Sequence, residues 1–119
     1  MKALNPRTIL MTVYGGAVED ATRPNKETGE PTPAIIGFMV TEYLMQVNHV
    51  VEERDNMYRL AKYIGSHLQD DEICLDDNDI FSILSVLKNN APLYIYGSIK
   101  DILESAPDKI EPPTVGVRN

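Results

Sequence analysis

The residues whose type and spacing could do chemistry are gathered in the stretch QDDEICLDDND, residues 69–79. Asp70, Asp71, Glu72, Asp76, Asp77 and Asp79 are six carboxylates within ten positions, and no base interrupts them. Clustered carboxylates hold hard cations when loop spacing brings several oxygens to one point. Asp77 and Asp79 are two apart, but no Asp-x-Asp-x-Asp-Gly run and no closing Glu follow, so a calcium loop is not expected. The same acids can offer a negative surface to a basic partner, or imitate nucleic-acid phosphates towards a DNA- or RNA-binding protein. They also have a structural use, because acids at the start of a helix suit its positive dipole end.

Two further constellations involve helical spacing. His49-x-x-Glu52 puts an imidazole and a carboxylate on one helix face, but carboxylate-bridged metal sites in bundles need Glu-x-x-His pairs from two helices. His67, the second histidine, is eighteen residues on, about 27 Å along an unbroken helix. A hydrogen-bonded His49 is the simpler expectation. Glu52-x-x-Asp55 resembles half of the magnesium-holding carboxylate set of helical nucleotide pyrophosphohydrolases. The partner motif on a preceding helix is missing, since Glu27 and Glu30 span Thr28-Gly29 in a loop, and no membership follows. Pairing of Asp55 with Arg59 along a helix surface explains the spacing equally well.

Cys74 sits between Ile73 and Leu75 among acids and reads as a small buried residue rather than a nucleophile. One cysteine excludes an internal disulfide. The six tyrosines (14, 43, 58, 63, 94 and 96) suit core and interface positions with a polar edge. There is no Gly-x-Ser-x-Gly, no phosphate loop and no Gly-x-Gly-x-x-Gly. No catalytic residue, metal or cofactor is assigned.

The net charge of −7 is unevenly spread. Residues 69–104 carry eight acids and two bases, and the rest of the chain is close to balance. Direct binding of a nucleic-acid backbone needs Lys and Arg and is disfavoured. A protein partner with a basic surface is the natural complement. The most apolar stretch, Ala34–Val51, contains Glu42, Gln46, Asn48 and His49 and is too polar for a membrane span. No N-terminal segment reads as a signal peptide, and a cytoplasmic location is expected.

These residues need elements to position them. The strongest pattern runs from Pro33 to Leu68: Ile36, Val40, Tyr43, Val47, Val50, Arg54, Met57, Ala61, Ile64 and Leu68 alternate steps of four and three, a heptad seam. Thr32-Pro33 reads as its cap and first turn. An unbroken helix over this range would be about 54 Å long. Either it breaks, near Asp55-Asn56, or a second copy covers it through Ile36, Val40, Tyr43, Val47, Val50, Met57, Ala61 and Ile64. A homodimer or higher oligomer is expected.

Around this segment, Asn5-Pro6 begins a helix ended by Gly15-Gly16, although Thr8–Tyr14 also has strand composition. Residues 17–31 read as an exposed, mobile loop. Ile73–Leu75 suits a short strand, and Asp77 or Asn78 caps a helix running to Lys88. Ser98 and Asp101 approximate a capping box for a last helix to Ser105. The expected architecture is all-α, with four or five helices around a long central helix over 33–68. The alternative is α+β, with strands at 8–14, 73–75 and 93–96. One domain over 1–107 is followed by an extended tail, 108–119. The expected function is a non-enzymatic acidic regulator, adaptor or inhibitor that docks through Asp70–Asp79. Alternatives are a phage-type inhibitor or nucleic-acid mimic, and a metal-dependent nucleotide pyrophosphohydrolase.

Overall fold

In a computed structural model, which describes residues 1–109, the chain is α+β rather than all-α. The order is β1 (Lys2–Leu4), β2 (Glu19–Pro24), β3 (Pro31–Pro33), α1 (Ile36–Gln46), α2 (Val51–Ser66), β4 (Ile73–Leu75), α3 (Asp77–Asn90) and α4 (Leu93–Ser105). The strands form two antiparallel pairs. β1 lies on β4 with Lys2 opposite Leu75 and Leu4 opposite Ile73, and β2 lies on β3 with Asp20 opposite Thr32. A strand of three residues is too short to show an alternating pattern, and β1 finds its partner far along the chain. The tail expected over 108–119 lies outside the described residues except for its start, where Asp108 bridges Lys2 and the Lys109 amide donates to the Met1 carbonyl.

The central helix does break, but at residues 47–50 and not near Asp55-Asn56, which lie inside α2. Val47 and Val50 adopt extended backbone, and His49 Nε2 donates to the Leu44 carbonyl at 2.8 Å. That bond satisfies a carbonyl left open by the end of α1. α2 then starts afresh with Glu52 and Glu53 in its first turn. The two halves of the heptad seam fold back on each other. Gly37 near the start of α1 meets Leu68 just past the end of α2, and Thr41 faces Gly65.

Gly37 is needed at that crossing. A Cβ there would lie 2.7 Å from Leu68 Cδ2 and 2.8 Å from the Pro6 carbonyl oxygen, which itself accepts from the Gly37 amide. The core gathers around the same place, with Leu10, Ile36, Leu60, Ile64, Leu75, Ile83, Leu87, Ile99 and Leu103 fully buried.

The segment before α1 departs furthest from the sequence expectation. Residues 5–18 form neither a helix nor a named strand. They make an extended arm, pinned by bridges of Ile9 to Ile35 and Met11 to Ala17. The Leu10 amide donates to Ala34 O, Val18 to Leu10 O, and Ala34 to Val18 O, so three buried apolar residues share one irregular ladder. The arm turns at Thr12–Gly16, where Gly15 takes a φ of +91°. The loop expected over 17–31 is largely the β2–β3 hairpin. Thr32, expected to cap a helix, donates its hydroxyl to the Arg23 carbonyl at 2.6 Å inside that hairpin. Asp20 turns inward, its Oδ1 accepting from the Thr22 amide and hydroxyl.

Leu93–Tyr96, which reads as a strand or as the first turn of a helix, is the first turn of α4, entered directly from Pro92. Ser98 and Asp101 therefore sit within the helix and cap nothing.

Candidate functional site

The six acids singled out in the sequence are mostly used by the fold. Asp76 is the N-cap of α3, one position earlier than expected. Its Oδ1 accepts from the Asp79 amide at 2.7 Å, and Asp79 Oδ2 accepts in return from the Asp76 amide, which makes a reciprocal capping box. Asp79 also pairs with Arg59 at 3.1 Å. Asp71 pairs with Arg7 at 3.1 Å, and the same guanidinium donates to the Asp70 carbonyl at 2.8 Å. Glu72 pairs with Lys109. The bond to Glu72 raises the Lys109 pKa above the usual lysine value. Among the described residues only the side chains of Asp70 and Asp77 take no part in an ion pair or cap.

The seam residues are distributed by the same logic. Ile36, Val40, Met57, Ala61 and Ile64 are buried in the chain's own core, and Tyr43 and Val47 pack partly against it. Val50 alone of the eight is exposed. The break at 47–50 lets the seam close within one chain, and the length argument for a second copy no longer applies.

The remaining chemistry-bearing residues also serve the elements. His67 Nδ1 donates to the Tyr63 carbonyl at 2.6 Å, at the end of α2, as His49 does for α1. The two histidines terminate different helices and do not meet. Cys74 is half-buried in β4, and its amide donates to the Tyr63 hydroxyl at 3.1 Å. No group of three or more His, Cys, Asp or Glu side chains among the described residues is arranged to hold a metal ion. No helix among them is long and apolar enough to cross a membrane.

The largest concavity lies elsewhere. The arm runs beside α4, joined to it by the Met11 amide donating to Ser98 Oγ at 3.0 Å, and β1 meets the segment after α4 through the Ala3 amide donating to Pro107 O. Between the arm and α4 is an open groove of about 1100 Å³. Ile9, Met11 and Val13 line it from the arm, and Leu93, Tyr94 and Ile102 from α4. Five of these six are well exposed, with Val13 at 93% and Leu93 at 81%. Large apolar side chains left together at a surface mark contact sites more often than single exposed ones do. The charged residues of the lining are Asp71, Glu72 and Asp101, and no Lys or Arg contributes to it.

α4 explains how the groove is built. Ile95, Ile99 and Leu103, four apart, face the core. Leu93 and Tyr94 extend the apolar surface beyond that buried stripe, Asp101 marks its polar side, and Gly97 lies between. Sequence reasoning passed over this site because it read the arm's apolar residues as one face of a helix and Ser98 and Asp101 as a cap. The available signal was that α4 carries more apolar residues than one buried stripe requires.

The fold and groove together define a small α+β domain with one open apolar cleft edged by acids. Comparison with protein-family models, curated proteins and solved structures returns no match.

Proposed function

We propose that this chain is a protein-binding module, a regulator, adaptor or inhibitor without catalysis of its own, whose docking surface is the groove between the arm and α4. The observation that carries the reading is the groove's lining: large exposed apolar residues with Asp101 as its unpaired acid among the described residues, Asp71 and Glu72 being held by Arg7 and Lys109. Apolar contact supplies affinity to such a surface, and like-signed charges at its edge select a partner of opposite sign. The partner is therefore a protein with an apolar segment flanked by Lys or Arg. This keeps the basic partner expected from the sequence and moves its main contact away from Asp77 and from Asp76 and Asp79, which cap α3. Asp71 and Glu72 belong to both surfaces.

The test compares capture from cell extract by the native chain, by Leu93→Asp with Ile9→Ser, and by Asp70→Asn with Asp77→Asn. A partner retained by the native chain and the Asn variant, and lost from the groove variant, supports the reading. Its capture should also weaken with salt, less steeply for Asp101→Asn. Retention by the groove variant and loss from the Asn variant would overturn it.

A further inference from the structure

We infer that the groove receives an α-helix of a partner protein, laid along α4 across Gly97, with its apolar face towards Ile9, Met11 and Leu93 and a Lys or Arg side chain towards Asp101. This rests on the groove being the docking surface. Gly97 sits inside a helix of 13 residues, where glycine costs roughly 0.5–1 kcal/mol relative to alanine. Its φ is not positive, and a Cβ placed on it would meet nothing within 4 Å. Gly37 has its reason inside the fold, whereas Gly97 has none there. A glycine on a groove wall lets another backbone come close, and packed helices approach to about 8–10 Å between axes.

An extended peptide binds by adding to a free strand edge. Here the amides of Thr8, Leu10, Met11 and Thr12 already donate, to Asn5 O, Ala34 O, Ser98 Oγ and Gly16 O. The other wall is a helix and has no edge. A helix satisfies its own backbone and asks only for an apolar groove, which is what is present. α4 is about 20 Å long, enough to seat three to four turns of a partner.

No Lys or Arg lines the groove, Asp101 takes no ion pair among the described residues, and the whole chain carries −7. A second copy would bring like charge to an acidic edge, so a basic helix of another protein is the better complement.

The test titrates isotope-labelled protein with three synthetic peptides and follows backbone amide shifts. The first is a Leu/Ala/Lys peptide of about five turns with leucines at helical spacing. The second has the same composition with two central residues replaced by proline, and the third has Glu for Lys. The helical Lys peptide should move the amides of Gly97, Ser98, Asp101 and Met11. The proline and Glu forms should bind at least about tenfold more weakly, which is about 1.4 kcal/mol. Gly97→Leu should lose a similar factor with no fall in thermal midpoint, while Gly97→Ala folds and binds measurably.

Equal binding of the proline form in the groove would overturn the helix and leave the groove reading standing. Shifts confined to residues 70–79, or none, would overturn both. A sedimentation mass twice that of the chain, halved by Gly97→Leu, would replace the basic partner with a second copy.

Discussion

The acidic segment between α2 and α3 and the groove between the arm and α4 are opposite in how their side chains are employed. The segment has the highest charge density in the chain, yet four of its six carboxylates are committed to caps or ion pairs within the molecule. The groove holds ordinary residues, and Val13, Leu93 and Tyr94 lie open with little role in the fold. Charge density in a sequence reports where ions are. Pairing and burial decide whether they are free to meet a partner.

Outside both regions, the largest effect is expected at the crossing of α1 and α2. Gly37→Ala puts a methyl against Leu68 and the fixed Pro6 carbonyl, and should destabilise by about 1–3 kcal/mol in urea unfolding. Next, Asp76→Ala removes the side chain that caps α3 and should cost about 0.5–2 kcal/mol, with no loss of partner binding at the groove. A cost near zero would mean that the acids are less structural than their bonds indicate. Gly97→Ala tests the other side. It should stabilise by about 0.5–1 kcal/mol, since the new methyl enters open space.

The smallest expected effect is a pH dependence at Tyr43 of α1. Burial, and behind it the neighbouring Tyr94, raises the Tyr43 phenol above its usual value of 10.0. The folded chain then holds this proton more tightly than the unfolded chain does. The contribution is complete below pH about 10 and is lost as pH rises through the raised value. Tyr43→Phe should flatten the fall in urea midpoint between pH about 9 and 11.

Parts of this arrangement were legible in the sequence. The strand Ile73–Leu75 stands where its composition placed it, and the heptad seam marks the residues that α1 and α2 bury against each other. Length required the long helix either to break or to be covered by a second copy, and the position of the break was not readable. It depends on His49 reaching back to the Leu44 carbonyl, a contact that exists only once the chain turns. The β-hairpin was hidden because Pro31-Thr32-Pro33 has little strand propensity and Thr32 resembles a helix cap. The groove was hidden for a different reason. Its two walls are far apart in sequence, and each was assigned a local role that its neighbours seemed to explain.

The most direct measurement places a photoreactive benzophenone amino acid at Tyr94 in one protein and at Asp77 in another, and irradiates both in cell extract. The account expects a defined adduct from position 94, abolished by Leu93→Asp, and none from position 77. An adduct from position 77 with none from position 94 would contradict it and return the docking surface to the acidic segment.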